Sequence, residues 1–296
     1  MRQRSGVPVI AHLPPRLRGK AFRGSRAVAQ GILTPNQLRS SAWRPLFRDV
    51  YVDATVDVTH RLRAAAAAHL LVPDAVVSGR SAAVLWGVDL AAPADDVELT
   101  IAPGANARRH PGVRVRRARL DPGDIERRGG TRLTAPVPTA VRVASVLEGD
   151  DAVVAIDRLV VAGVVDLAAL RARADEPGAA SARVRLACAR ADGLAESPQE
   201  TRLRLLMQRA RLPMPVAQYE VREGGRFVAR VDFAWPEFKV AVEYDGRWHA
   251  AEDQFAKDRR RLNRLREAGW VVVFVTAADL HDPFRLLATI RAALKR

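Results

Sequence analysis

The segment RFVARVDFAWPEFKVAVEYDG, residues 226–246, constrains this chain more than any other. Two runs rich in β-branched and aromatic residues flank Pro236-Glu237, and proline presets φ for a tight turn, so the segment reads as strand, turn, strand. Side chains alternate across a strand, which sets Val231, Phe233 and Trp235 on one face and Arg230, Asp232 and Ala234 on the other. If Trp235 and Phe238 close the turn as a pair, Asp232 lies opposite Ala241 and diagonal to Glu243, with Asp245 on the same face as Glu243. Such a diagonal measures about 7–8 Å between backbones, within which two carboxylates can share one divalent ion.

Upstream, ESPQETRLRLLMQRARL begins a helix: Ser197 is the N-cap, Pro198 sits at N1, and Glu200 stands at the spacing of a capping box. Leu203, Leu206, Met207 and Ala210 fall at core spacing, leaving Glu200, Arg204 and Gln208 along another stripe. Acidic side chains gathered beside apolar residues repel one another and are costly in a dry site unless a cation joins them. Mg²⁺, or Mn²⁺ in its place, suits a carboxylate set and leaves coordination positions for water and phosphate. The expected ligands are Asp232, Glu243 and Asp245.

The order of a helical Glu, a strand Asp and an acid on the next strand resembles the PD-(D/E)XK nucleases. The continuation VEYDGRWH, then Asp258, Arg261, Leu265, Gly269 and Trp270 in the spacing D-x-x-R-x-x-x-L-x-x-x-G-W, is similar to the very-short-patch-repair (Vsr-like) endonucleases. The resemblance covers about Glu196 to Leu280. It implies that Asp232 is the principal metal ligand, that Glu243 or Asp245 completes the set, and that Glu200 orients water or metal. It further implies that His249 acts as general base or polarises the phosphate, with Asp258 holding that histidine or capping its own helix. The lysine of the family motif is missing, since Glu243-Tyr244-Asp245 carries aspartate there, and the identity of the base stays open. The helix from Asp253 to Ala268 carries Lys257, Arg259, Arg260, Arg261, Arg264 and Arg266 around most of its polar circumference, suited to a DNA backbone or to ion pairs with Asp253, Asp258 and Glu267. Gly269 stops that helix, a valine-rich strand follows, and a helix from Pro283 to Leu294 closes the fold.

The N-terminal half is of another kind. Residues 22–53 read as helix, turn, helix and a small wing, with Ser25 capping the first helix, Gly31 ending it, and Thr34-Pro35 starting a second that runs to about Trp43. Gly31, Thr34, Gln37, Leu38 and Tyr51 resemble the winged helix of AbiEi-type antitoxins from type IV toxin-antitoxin systems. That resemblance implies DNA binding, with Asn36, Gln37 and Arg39 reaching base edges, and it leaves a toxin partner or a homodimer open. The run from Ser78 to Gly87 extends it toward residue 185; Ser78 and Ser81 lack a base partner and read as helix caps. Arg108, Arg109, His110, Arg114, Arg116, Arg117 and Arg119 form a basic strip, fit either for phosphates or for solvent.

The fold class expected is α/β in the broad sense, α+β overall: a disordered arm over 1–20, a winged helix over 21–54, an α+β domain over 55–185, a linker near 174–192, and a restriction-endonuclease-like mixed sheet flanked by helices over 186–296. A net charge of +15 favours a polyanionic partner, here DNA. The apolar stretches are too short to span a bilayer, and a single cysteine, Cys188, excludes an internal disulfide and a cysteine-based metal site, which makes the cytoplasm the expected compartment. Two functions follow: a metal-dependent DNA endonuclease or nickase, with a repair or phage-defence role implied by the resemblances alone, or a DNA-binding regulator that does not cut.

Overall fold

A computed structural model describes residues 13–245 and 252–296, and for 252–258 the backbone alone. Its helices and open mixed sheets are of the α+β class. They divide into one unit that ends at Arg142 and another that begins at Val143.

The first unit starts with β1 (Phe22–Arg23), α1 (Gly24–Ala29), α2 (Pro35–Leu38), β2 (Trp43–Phe47) and β3 (Val50–Asp53), the strands pairing in the order β1-β3-β2. Residues 13–20 are not a free arm: Leu17 is buried with Phe22 and Trp43, and the Gly19 amide donates to Asp53. Ser25 does not cap α1. Its amide and hydroxyl both donate to Asp49, a turn residue at φ 62°, which does the capping from the hairpin. The second helix is one turn long and stops at Leu38, because Ser40 closes onto the Gln37 carbonyl and Trp43 is drawn into the core as the first residue of β2. The base-edge candidates are engaged locally. The Gln37 side chain accepts the Thr34 amide in a reciprocal capping box, and Arg39 donates to Asn36 Oδ1 at 3.1 Å.

Next come α3 (His60–Ala66), β4 (Val76–Val77), α4 (Gly79–Trp86), β5 (Val97–Ile101), β6 (Val113–Arg117), β7 (Ile125–Arg128) and β8 (Thr131–Thr134), and then α5 (Pro136–Val146), within which the first unit ends. The sheet order is β6-β5-β4-β8-β7. Neither Ser78 nor Ser81 caps α4 through its side chain, and Ser81, expected to lack a base partner, has one in His60, whose Nε2 lies 2.7 Å from its hydroxyl. The Ser78 hydroxyl accepts from Thr100 at 2.8 Å, and Ser81 Oγ accepts the Glu98 amide at 2.8 Å beside His60 Nε2, so both tie α4 to β5.

The second unit holds α6 (Gly149–Val161), α7 (Leu167–Asp175), α8 (Ala182–Arg190), α9 (Pro198–Arg209), β9 (Val216–Glu223), β10 (Arg226–Trp235), β11 (Val240–Tyr244), α10 (Glu252–Glu267), β12 (Val271–Val275), α11 (Ala277–His281) and α12 (Pro283–Ala293). About half of the linker expected near 174–192 is α8, which Ser181 caps and Cys188 anchors in the core. A four-stranded sheet, β12-β11-β10-β9, has β11 and β12 parallel and its other pairs antiparallel. Apolar side chains from α9 and α12 cover one set of its residues, Phe233, Trp235, Val240 and Val242 among them; Leu265 and Ala268 near the end of α10 pack with Val231, Ala234 and Ala241.

Candidate active site

The turn between β10 and β11 is longer than the sequence suggests. Pro236–Phe238 form a 3-10 turn, Lys239 follows at φ 48°, and Trp235 therefore pairs with Val240 and not with Phe238. Phe233 faces Val242 and Ala234 faces Ala241, so the same register carries Asp232 directly opposite Glu243 instead of diagonal to it. Directly opposed residues in an antiparallel pair bring their Cβ atoms to about 4.5–5.5 Å, closer than the expected diagonal. At this point the ladder gives way to a side chain: Asp232 Oδ2 accepts the Tyr244 amide at 2.7 Å.

On the other side of Asp232 stands Gln218, a residue of β9 in the left-handed region at φ 51°. Ala217 and Phe233 pack with the α9 side, whereas Tyr219 and Val231, two rungs along and so expected on the same side, pack with the α10 side. The regular alternation thus breaks at the rung of Gln218 and Asp232, and Val231 does not share a core with Phe233 and Trp235 as expected. A local kink that re-aims side chains is a recurrent device beside active sites. Here it turns the Gln218 amide toward Glu200, whose Oε2 it meets at 3.0 Å.

Glu200 is delivered by α9. Ser197 caps that helix as its sequence requires, accepting the Glu200 amide at 3.2 Å, while the Glu200 carboxylate turns back to accept the Glu196 amide at 2.9 Å. Glu200 and Glu243 are only 7% and 8% exposed. Burial, with the negative charges of Glu200, Glu243 and Glu196 adding to it, raises the Asp232 carboxyl to about 6, against the opposing pull of the Tyr244 amide. Glu243 has a counter-charge in Arg261, expected to meet DNA or the acids of its own helix: from α10 it forks onto Glu243, Nη1 to Oε1 and Nη2 to Oε2, each at 2.6 Å. A bidentate guanidinium–carboxylate pair fixes both partners in one plane, so Arg261 is committed inside the site. Arg260 and Arg264 remain on α10 toward its outer surface, lining a shallow depression with Asn263.

Asp245 follows β11, its amide donating to the Val275 carbonyl at 2.7 Å, and its side chain is exposed. Among the described residues no three acidic or histidine side chains converge closely enough to hold a metal as a finished set. Arg261 pairs with Glu243 there, and Gln218 and the Glu196 amide donate to Glu200. His249 lies outside the described residues, as do the side chains of Lys257 and Asp258. The motif lysine has no stand-in at Lys239, whose ammonium donates to the Ala268 carbonyl.

Gln218 and the strand that carries it were missed by the sequence reading. A signal was present: Val216, Tyr219 and Val221 precede Gly224-Gly225, and both glycines adopt positive φ in the two-residue hairpin turn. We expect Gln218→Gly, which frees the strained φ, to leave stability unchanged to within about 1 kcal/mol while lowering any hydrolytic activity of the site. Equal activity in the purified variant would make the Gln218–Glu200 bond merely structural.

Among the described residues no helix is long and apolar enough to cross a membrane. No family model matches the chain. A solved structure, the catalytic domain of the homing endonuclease I-Bth0305I, aligns with 32% of this chain and 90% of its own at 22% identity and a TM-score of 0.27, too distant a likeness to set the function. Two proteins of Mycobacterium tuberculosis, described as uncharacterized proteins MT2308 and Rv2248, are each 36% identical to this chain over 238 residues, 73% of this chain and 80% of theirs. The chain belongs to the family of these two mycobacterial proteins.

Proposed function

We propose that the second unit is a divalent-metal-dependent phosphodiesterase that cuts or nicks DNA, with the kinked end of its sheet as the active site. The observation that carries the reading is the register that sets Asp232 opposite the buried Glu243, with the charge of buried Glu200 also acting on it, a crowding of carboxylates that raises the Asp232 carboxyl. A purely structural site gains nothing from that repulsion, whereas a site built for a cation is relieved of it on binding. The donor chemistry fits Mg²⁺ or Mn²⁺, with Asp232 and Glu243 as the residues to hold it and Asp245 beside them. Held by these residues, such an ion would supply polarisation of a phosphoryl oxygen and would offset charge on the leaving oxygen.

The chain's own groups do the rest. Gln218 and the Glu196 amide hold Glu200 in a single orientation at the edge of the site. Arg261 fixes Glu243 and supplies, beside it, the positive charge that the absent motif lysine does not. The resemblance to Vsr-like enzymes implies that His249 acts as general base or polarises the scissile phosphate, and the excess of arginine on the chain suits a polyanionic substrate.

The test is incubation of supercoiled plasmid with the purified chain in Mg²⁺ or Mn²⁺, beside Asp232→Ala and an EDTA control. Nicking or linearisation that both controls abolish supports the reading. A second reading, a regulator that binds DNA without cutting, is favoured by the Arg261 fork, which already neutralises Glu243. Binding without cleavage in either metal, retained by Asp232→Ala, would establish it in place of the first.

A further inference from the structure

Residues 103–120 of the first unit hold six arginines and no carboxylate. They are folded into a groove of about 730 Å³ between the loop 105–112 and the edge strand β6. Arg108 and Arg109 face it from the loop, and Arg114 and Arg117 from the strand; all four are exposed. Asp96 is the carboxylate in its lining, 3.6 Å from Arg114, with both side chains largely solvated. Among the described residues neither Arg108 nor Arg109 makes an ion pair. The groove therefore concentrates positive charge that the protein itself leaves largely unneutralised.

The groove is also held open. Ala105, Ala107, Val113 and Val115 pack against the core beneath it. Gly112 sits at φ 78°, where a Cβ would lie 2.7 Å from the Arg63 guanidinium, and its carbonyl accepts the Val97 amide. Arg63 in turn donates to the Pro93 and Asp95 carbonyls and lies over the Phe47 ring, and Arg117 donates to the Ala105 carbonyl across the groove. A loop already fixed in place loses little entropy when a ligand arrives. Inside it His110 is held toward the neutral form by burial and by the charges of Arg23 and Arg108.

We propose that this groove is a second nucleic-acid site, one that binds the phosphodiester backbone of duplex DNA and reads no sequence. Guanidinium groups fork onto phosphate oxygens, and four of them rimming one concave surface match a ligand whose charges are closely and regularly spaced. An acidic protein segment presents carboxylates at irregular spacing on flexible stems and fits less well. The site is independent of whether the second unit cuts DNA, since it asks only for binding.

The experiment is fluorescence anisotropy of the full chain with a labelled DNA duplex of about 30 base pairs, titrated across salt concentrations in EDTA so that metal-dependent cleavage plays no part. Arg108→Gln with Arg109→Gln is expected to weaken binding at every sequence and to make the salt slope shallower by about 2, near one per lost phosphate contact. Both side chains are exposed, so folding is not at risk; Arg114→Gln repeats the test from the strand. Arg183→Gln with Arg185→Gln, on the exposed face of α8, removes the same net charge elsewhere and is expected to leave the slope unchanged. An unchanged slope in the groove variants, or an equal loss in the α8 variant, overturns the proposal. So does poly-glutamate that displaces the duplex as well as unlabelled DNA does at equal charge, which would assign the groove to an acidic protein.

Discussion

Arg204→Met is expected to cost the second unit about 3–5 kcal/mol of stability, the range for removing one partner of a buried ion pair. Asp157 on α6 is 1% exposed and accepts four hydrogen bonds: the Asp192 and Gly193 amides and the Thr201 hydroxyl at 2.9 Å each, and Arg204 Nη2 at 2.8 Å. Arg204, on α9 and 4% exposed, also donates to the Arg190 carbonyl at 2.7 Å and lies 2.9 Å from Asp192. Methionine keeps the length of the stem and removes the charge, which leaves the Asp157 carboxylate buried against neutral donors alone. Urea denaturation followed by circular dichroism measures the loss; less than about 1 kcal/mol would mean that the three neutral donors suffice. Asp157→Leu combined with Arg204→Met should recover part of the loss, because a buried pair removed whole is far cheaper than one broken. The effect reaches the site as well, since Glu200 stands one helical turn before Arg204 on α9 and is positioned by whatever holds that helix to α6.

What the sequence made legible is what short-range rules decide. Ser197 and Pro198 start α9 because a hydroxyl that accepts an amide three residues on and a fixed φ both favour a helix start at that point. Pro236 makes a turn and Gly269 ends α10 for similarly local reasons. The same rules overreach where tertiary contacts compete. Thr34-Pro35 does nucleate α2, yet Trp43 gains more by packing edge-on against Phe22, 4.9 Å between ring centroids, than by extending the helix. Ser25 has the right chemistry for a cap and loses the role to Asp49, which only the hairpin brings into range.

The site divides in the same way. Glu200, Asp232 and Glu243 were recognisable from residue type and alternation, and they do approach one another. Their relation depends on a register set by the length of the turn: two residues more between the paired positions moves Asp232 from beside Ala241 to beside Glu243. Partners from distant elements were not legible at all. Nothing local to Arg261 says that it will fork onto Glu243 in preference to solvent or phosphate, and nothing local to Gln218 says that its backbone will adopt φ 51°. Side chains whose role depends on two strands and a helix meeting are fixed by packing, so they become visible only in the fold.

Asp232→Asn is expected to abolish metal-dependent cleavage, by more than about a hundredfold, and at the same time to make the protein more stable at neutral pH. The Asp232 carboxyl titrates near 6 in the folded chain against an ordinary value of 3.8. Between those values the folded state keeps a proton that the unfolded state has lost, so stability falls as pH rises through that window and the deficit is complete above it. The full shift corresponds to about 3 kcal/mol; because the side chain is only half-buried, solvent screening brings the expected deficit nearer 1–2 kcal/mol. Asparagine never ionises, and its Oδ1 can still accept the Tyr244 amide, so the variant keeps the bond and loses the repulsion from Glu200 and Glu243. Its advantage in thermal midpoint should be present at pH 7 to 8, shrink as pH falls through 6, and vanish near pH 4. Mg²⁺ should reverse the ranking, since a cation that binds the folded wild type stabilises it in proportion to the logarithm of its concentration and finds a weaker site in the variant. Thermal denaturation at several pH values, with and without Mg²⁺, reads both effects at once. If the variant is less stable at pH 7 and Mg²⁺ moves neither protein, the carboxylates are a structural cluster, and the kink at Gln218 serves the fold and no substrate.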